Sequence, residues 1–104
     1  MKQITDKEFE KVVLNNEKVV LVDAFATWCG PCRMLAPVLE NLEKETSDWL
    51  EIVKVDVDEA EEIVNGLGVS GVPALFVYKN GAMVENFVGY RTLDQIKEIV
   101  EAYK

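Results

Sequence analysis

The spacing of hydrophobic and polar positions changes period several times along the chain, and each change marks an element. After a short strand over residues 2–4, Thr5 with Glu8 three residues later reads as a capping box. It opens a helix whose Phe9, Val12 and Val13 share one face. "VVLVDAF", residues 19–25, is a near-continuous apolar run, the pattern of a central strand covered on both sides. From Pro31 to Thr46 the apolar residues fall at 34, 35, 38, 39 and 42, a helical spacing with Pro37 inside it as a kink. "EIVKVDV", 51–57, reads as a strand, and a short helix follows near 59–65, ending at Gly66. "ALFVYKNGAMVENFV", 74–88, reads as a hairpin turning at Asn80-Gly81. Thr92 with Gln95 opens a last helix carrying Leu93, Ile96, Ile99, Val100 and Tyr103 as an apolar stripe. Five strands and four helices in this order predict an α/β fold, a mixed sheet sandwiched between helices.

Composition narrows the function classes. At 104 residues the chain is expected to form one domain, residues 1–104. A hydrophobic share of 49% with 29% charged residues argues against disorder. The formal net charge of −8 should repel phosphate backbones and anionic lipid heads, so neither nucleic acid nor a membrane is an expected partner. No stretch approaches the ~20 apolar residues of a membrane span, and the N-terminal "MKQITDKEFEKVV" lacks a signal-peptide core. A cytoplasmic location is therefore expected, where a lasting disulfide is unusual. Histidine is absent, which removes the commonest metal ligand and the usual general base.

Against that background the only two cysteines, Cys29 and Cys32 in "AFATWCGPCRMLAP", stand out. They follow a strand and open a helix, where unpaired first-turn amides favour an anion such as a thiolate. One helical turn puts their Cα atoms ~5–6 Å apart, a spacing a disulfide can close. As a staple, so short a ring would contribute only roughly 2 kcal/mol. A structural zinc needs four ligands, and one chain offers two. Redox chemistry is the reading that remains. Cys29, at the helix mouth, should be accessible and act as the nucleophile; Cys32, one turn in, should be covered and resolve the mixed disulfide. Pro31 suits a helix start, having no amide hydrogen to leave unsatisfied, and Gly30 leaves room for another backbone.

"WCGPC" at 28–32, Asp23 five residues before Trp28, "GVP" at 71–73, "KNG" at 79–81 and Gly89 together resemble the thioredoxin family over the whole chain. The resemblance implies a three-layer fold, a central mixed sheet of about five strands flanked by four α-helices. It implies a monomeric protein-disulfide reductase acting on disulfide-containing client proteins and recycled by a thioredoxin reductase. The domain would bind no cofactor, NADPH and FAD belonging to that reductase. By matching position, Asp23 would be a buried carboxylate that helps deprotonate Cys32, its pKa raised by desolvation. The residues alone equally allow a solvent-facing strand end. Lys54 would lie beside it, against the alternative of a solvated strand lysine. Pro73 would be a cis-proline facing the disulfide, leaving the Val72 backbone to pair with an extended client; sequence alone favours a trans strand-opening proline. Trp28 would join Gly71, Val72 and Gly89 in a docking rim, or else pack in the core. Four positions depart from common family residues: Ala24, Phe25, Arg33 and Ala74. None is a cysteine, so they bear on potential and partner preference.

Overall fold

A computed structural model describes all residues, 1–104. Five strands form one mixed sheet: β1 (Lys2–Gln3), β2 (Val19–Phe25), β3 (Leu50–Asp56), β4 (Ala74–Lys79) and β5 (Ala82–Val88). Their spatial order is β1-β3-β2-β4-β5. β2 is central, parallel to β3 and antiparallel to β4. That position explains its apolar run, interrupted only at Asp23, because both of its faces are covered. Three α-helices, α1 (Gly30–Thr46), α2 (Glu61–Leu67) and α3 (Leu93–Glu101), and an irregular helical segment near the N-terminus cover the sheet.

Alternation along the strands divides the core in two. Val20, Val22 and Ala24 point to one face with Val53, Val55, Phe76 and Tyr78, under α2 and the N-terminal segment. Val19 and Leu21 point to the other with Ile52, Leu75 and Val77. There they meet Leu35, Leu39 and Leu42 of α1 and Ile96 and Val100 of α3. The expected three-layer fold is present.

Several boundaries differ from the sequence reading. The N-terminal helix is not an α-helix: a 3-10 turn over Asp6–Glu8 leads into a π-helical turn over Glu10–Leu14. Glu8 does reach back as expected, accepting from the Thr5 amide at 3.1 Å. The Asp6 carboxylate instead caps α2, accepting from the amides of Glu62 and Ile63 at 3.2 and 2.9 Å. Two orphan donors of that helix are thereby satisfied from the far end of the chain. α2 runs past Gly66 and stops at Gly68, whose φ of +69° is the left-handed conformation that ends helices. α1 continues through Pro37, which lies on its exposed side and, lacking an amide hydrogen, leaves the Arg33 carbonyl without its helical donor. Met34 is exposed and lies off the apolar stripe.

The hairpin turns at Asn80-Gly81, both with positive φ (53° and 81°). A bulge follows in β5, where Tyr78 pairs with Met83 and Val77 with Glu85, leaving Val84 without a partner. The Tyr103 hydroxyl donates to the Val84 carbonyl at 3.3 Å. α3 opens with a complete capping box, Thr92 and Gln95 each accepting from the other's amide.

Candidate active site

β2 ends at Phe25, and the chain turns back so that Cys29 becomes the N-cap of α1. The turn is closed by the Cys29 amide donating to the Ala26 carbonyl at 3.2 Å. Cys29 Sγ accepts from the Cys32 amide at 3.2 Å, the bond an N-cap oxygen usually takes. No acidic residue sits in the first turn of α1, so nothing there competes for that positive end. Pro31 lies within this first turn, where its missing amide costs no hydrogen bond. At Gly30 an added Cβ would meet nothing within 4 Å, so internal packing does not demand glycine there.

Cys29 and Cys32 form a disulfide with their Cα atoms 5.2 Å apart. The expected difference in accessibility is absent: Cys29 is 5% exposed and Cys32 6%. In the closed ring each sulfur covers the other, and Phe25, Val57 and Val72 pack around both with Ala26. What separates the two sulfurs is the N-cap position of Cys29.

Beneath the pair lies Asp23, 2% exposed, with Oδ1 lacking any hydrogen-bond partner. Burial pushes this carboxyl up to about 6, against a weaker downward pull from the Lys54 ammonium. Asp23 is therefore the buried carboxylate of the sequence reading, not a solvent-facing strand end. Lys54 is its register partner on β3, half-buried rather than solvated. Asp23, Cys32 and Lys54 line one cavity of about 270 Å³ together with Phe25 and Arg33.

On the other side of the disulfide, Trp28 is 68% exposed and so is no core tryptophan. Its Nε1 donates to Asp58 Oδ2 at 3.1 Å, which fixes the indole across the surface. Trp28, Gly71 and Val72 line a shallow groove of about 240 Å³ with Val57, Val64 and Val69. The Val72–Pro73 peptide is cis, as the matching position implied. The Gly89 amide donates to the Pro73 carbonyl at 2.8 Å, and Gly89 has a φ of +98°, which favours glycine. All eleven residues singled out from the sequence thus gather at this end of the sheet. Sequence reasoning missed Asp58, for which the acidic run after β3 was the only cue, and the stacking of the Lys54 ammonium 4.4 Å from the Phe25 ring centroid.

The thioredoxin family model matches residues 1–102. The chain belongs to the thioredoxin family. It is 46% identical to a thioredoxin of Listeria monocytogenes over 103 residues, covering 99% of this chain and 98% of that relative. A Bacillus subtilis thioredoxin is 46% identical over 99 residues, 95% of this chain and 93% of its own. Thioredoxin-1 of Schizosaccharomyces pombe is 44% identical over 89 residues, 86% and 85% of the two chains. With a Cys-X-X-Cys pair at disulfide distance, this thioredoxin-family chain is a thiol-disulfide oxidoreductase acting on protein disulfides. No group of three or more His, Cys, Asp or Glu side chains is placed to hold a metal ion. No helix is long and apolar enough to cross a membrane.

Proposed function

We propose that the chain reduces client disulfides by dithiol exchange, with Cys29 as the attacking thiolate and Cys32 as the resolving thiol. The supporting observation is the joint placement of Cys29 Sγ at the α1 N-cap and the unpaired Asp23 carboxyl in the cavity that Cys32 lines. In the reduced protein, first-turn amides stabilise the Cys29 thiolate. It attacks one sulfur of a client disulfide, forming the Cys29–client bond and releasing the other client sulfur as a thiolate. Cys32 then gives its proton to Asp23 and attacks Cys29 Sγ, forming the intramolecular disulfide and expelling the second client thiolate. Two electrons pass to the client, and two protons complete its thiols. A carboxyl with a pKa near 6 suits this exchange, accepting and returning a proton close to neutrality.

Trp28, Gly71, Val72, Pro73 and Gly89 form the docking rim in this reading, with Gly30 and Pro31 facing the client. An extended client strand pairs with the Val72 backbone while its side chains rest on the indole. Lys54 moderates Asp23. The whole chain, residues 1–104, works as one domain and as a monomer in the cytoplasm. It binds no cofactor, and a thioredoxin reductase returns it to the dithiol form with electrons from NADPH through its own FAD.

Cys32→Ser tests the division of labour. It should accumulate covalent client adducts through Cys29, seen as dithiothreitol-sensitive bands on non-reducing gels. Cys29→Ser should trap none and lose insulin reduction in a coupled NADPH–reductase assay. Equal trapping by both variants would overturn the assignment.

A further inference from the structure

Asp23 and Phe25 lie two residues apart on β2 and share the face that turns toward α1, as do Lys54 and Asp56 on β3. The register sets Asp23 opposite Lys54 and Phe25 opposite Asp56. The Lys54 side chain has two neighbours to choose between, the carboxylate and the ring, and it takes the ring. Its Nζ stands 4.4 Å from the Phe25 centroid. The ion pairs of the protein are Met1–Glu43, Lys2–Glu8 and Lys97–Glu45, and none includes Lys54. Asp23 Oδ1 is correspondingly unpartnered although Lys54 lines the same cavity.

The other polar groups around the cavity are otherwise engaged. Arg33 of α1 donates to the Thr27 carbonyl at 3.0 Å, and Asp56 accepts from the Asp58 amide at 2.9 Å. Cys32 is held in the disulfide, and the β4 register partner of Asp23 is the uncharged Leu75. Of the two cations lining the cavity, Lys54 is the one the strand register sets opposite Asp23.

We propose that Phe25 is a positioning residue for the reaction: its ring face holds the Lys54 ammonium off the Asp23 carboxyl, keeping that carboxyl unpaired beside Cys32. A ring quadrupole attracts an ammonium without neutralising it, so Lys54 still acts on Asp23 through space but forms no direct pair. A direct ion pair would hold Asp23 in the carboxylate form and make it a poor acceptor for the Cys32 proton. The functional importance of this arrangement rests on the proton role given to Asp23 above; the arrangement itself does not.

The test is a carboxyl-carbon NMR titration of Asp23 in the oxidised full chain, comparing native protein with Phe25→Leu, Phe25→Trp, Lys54→Met and the Phe25→Leu/Lys54→Met double variant. Phe25→Leu should lower the Asp23 midpoint by about one pH unit as Lys54 swings onto the carboxylate. Phe25→Trp, which keeps a cation-binding ring, should leave it at the native value. The double variant should match Lys54→Met alone. An unchanged or raised midpoint in Phe25→Leu, an equal fall in Phe25→Trp, or the same fall in the Lys54→Met background would overturn the proposal. Should Phe25→Leu fail to fold, Phe25→Met carries the same comparison. Release of a client from its Cys29 adduct, timed at pH 7 in reduced protein, separates the two readings. A lowered midpoint with unslowed release in Phe25→Leu would show that the ring holds Lys54 off Asp23, yet would overturn both its positioning role in the reaction and proton transfer through Asp23.

Discussion

Asp23→Asn removes a charge from the interface between the sheet and α1 while nearly preserving shape. Above pH 6 the folded native chain must hold this carboxylate ionised in a buried setting, whereas the unfolded chain holds it in water. Burial raises its pKa from 3.8 to about 6, and at about 1.4 kcal/mol per pH unit that penalty comes to about 3 kcal/mol. Because the folded value is raised, the stability is fully present below pH 3.8 and is lost as the pH climbs through 6. Asparagine carries no such dependence. Urea unfolding of oxidised native and Asp23→Asn proteins, at intervals from pH 3.5 to 8, should give curves whose difference grows with pH. The gain of the variant at neutral pH, relative to pH 3.5, should approach about 3 kcal/mol, a midpoint shift of more than about 1 M urea. Other groups cancel in this difference. Glu8, for example, is lowered by its hydrogen bond with Lys2, so its contribution runs the opposite way, lost as the pH falls, in both proteins alike. A difference that stays flat across the range would refute the claim that Asp23 is buried without a partner.

Two further substitutions test the frame around the site. Gly81→Ala should cost about 1–2 kcal/mol in urea unfolding, because a Cβ there would lie 3.0 Å from the Leu14 carbonyl oxygen at a φ of +81°; unaltered stability would mean the hairpin turn can shift freely. Leu39→Ala, in the fully buried row where α1 meets the sheet, should cost about 2–5 kcal/mol without changing how Cys32→Ser traps clients at low temperature.

Much of this molecule can be read from its residues because local and global preferences agree. The run in β2, the Asn80-Gly81 turn and the Thr92–Gln95 box each have one good structural solution, and each adopts it. The errors fall where a pattern has several solutions. The spacing of Phe9, Val12 and Val13 suits an α-helix but spans less than two turns, too short a stretch to exclude the 3-10 and π turns observed. Gly66 and Gly68 are both plausible stops, and only the backbone angle, set by packing, selects Gly68. The equal burial of Cys29 and Cys32 arises from their closure on each other and from Val57 and Val72, which are distant in sequence. The Asp23–Phe25–Lys54 arrangement is invisible until the parallel register of β2 and β3 is known.

A sheet's open border presents unpaired backbone groups on which other chains can build. β5 is such a border, seven residues long and free of proline. The unpaired Val84 distorts it at mid-length, and the Tyr103 phenol occupies the carbonyl a neighbouring chain would seek. That flank is thereby blunted as a template for a second chain, which guards the molecule against edge-to-edge stacking.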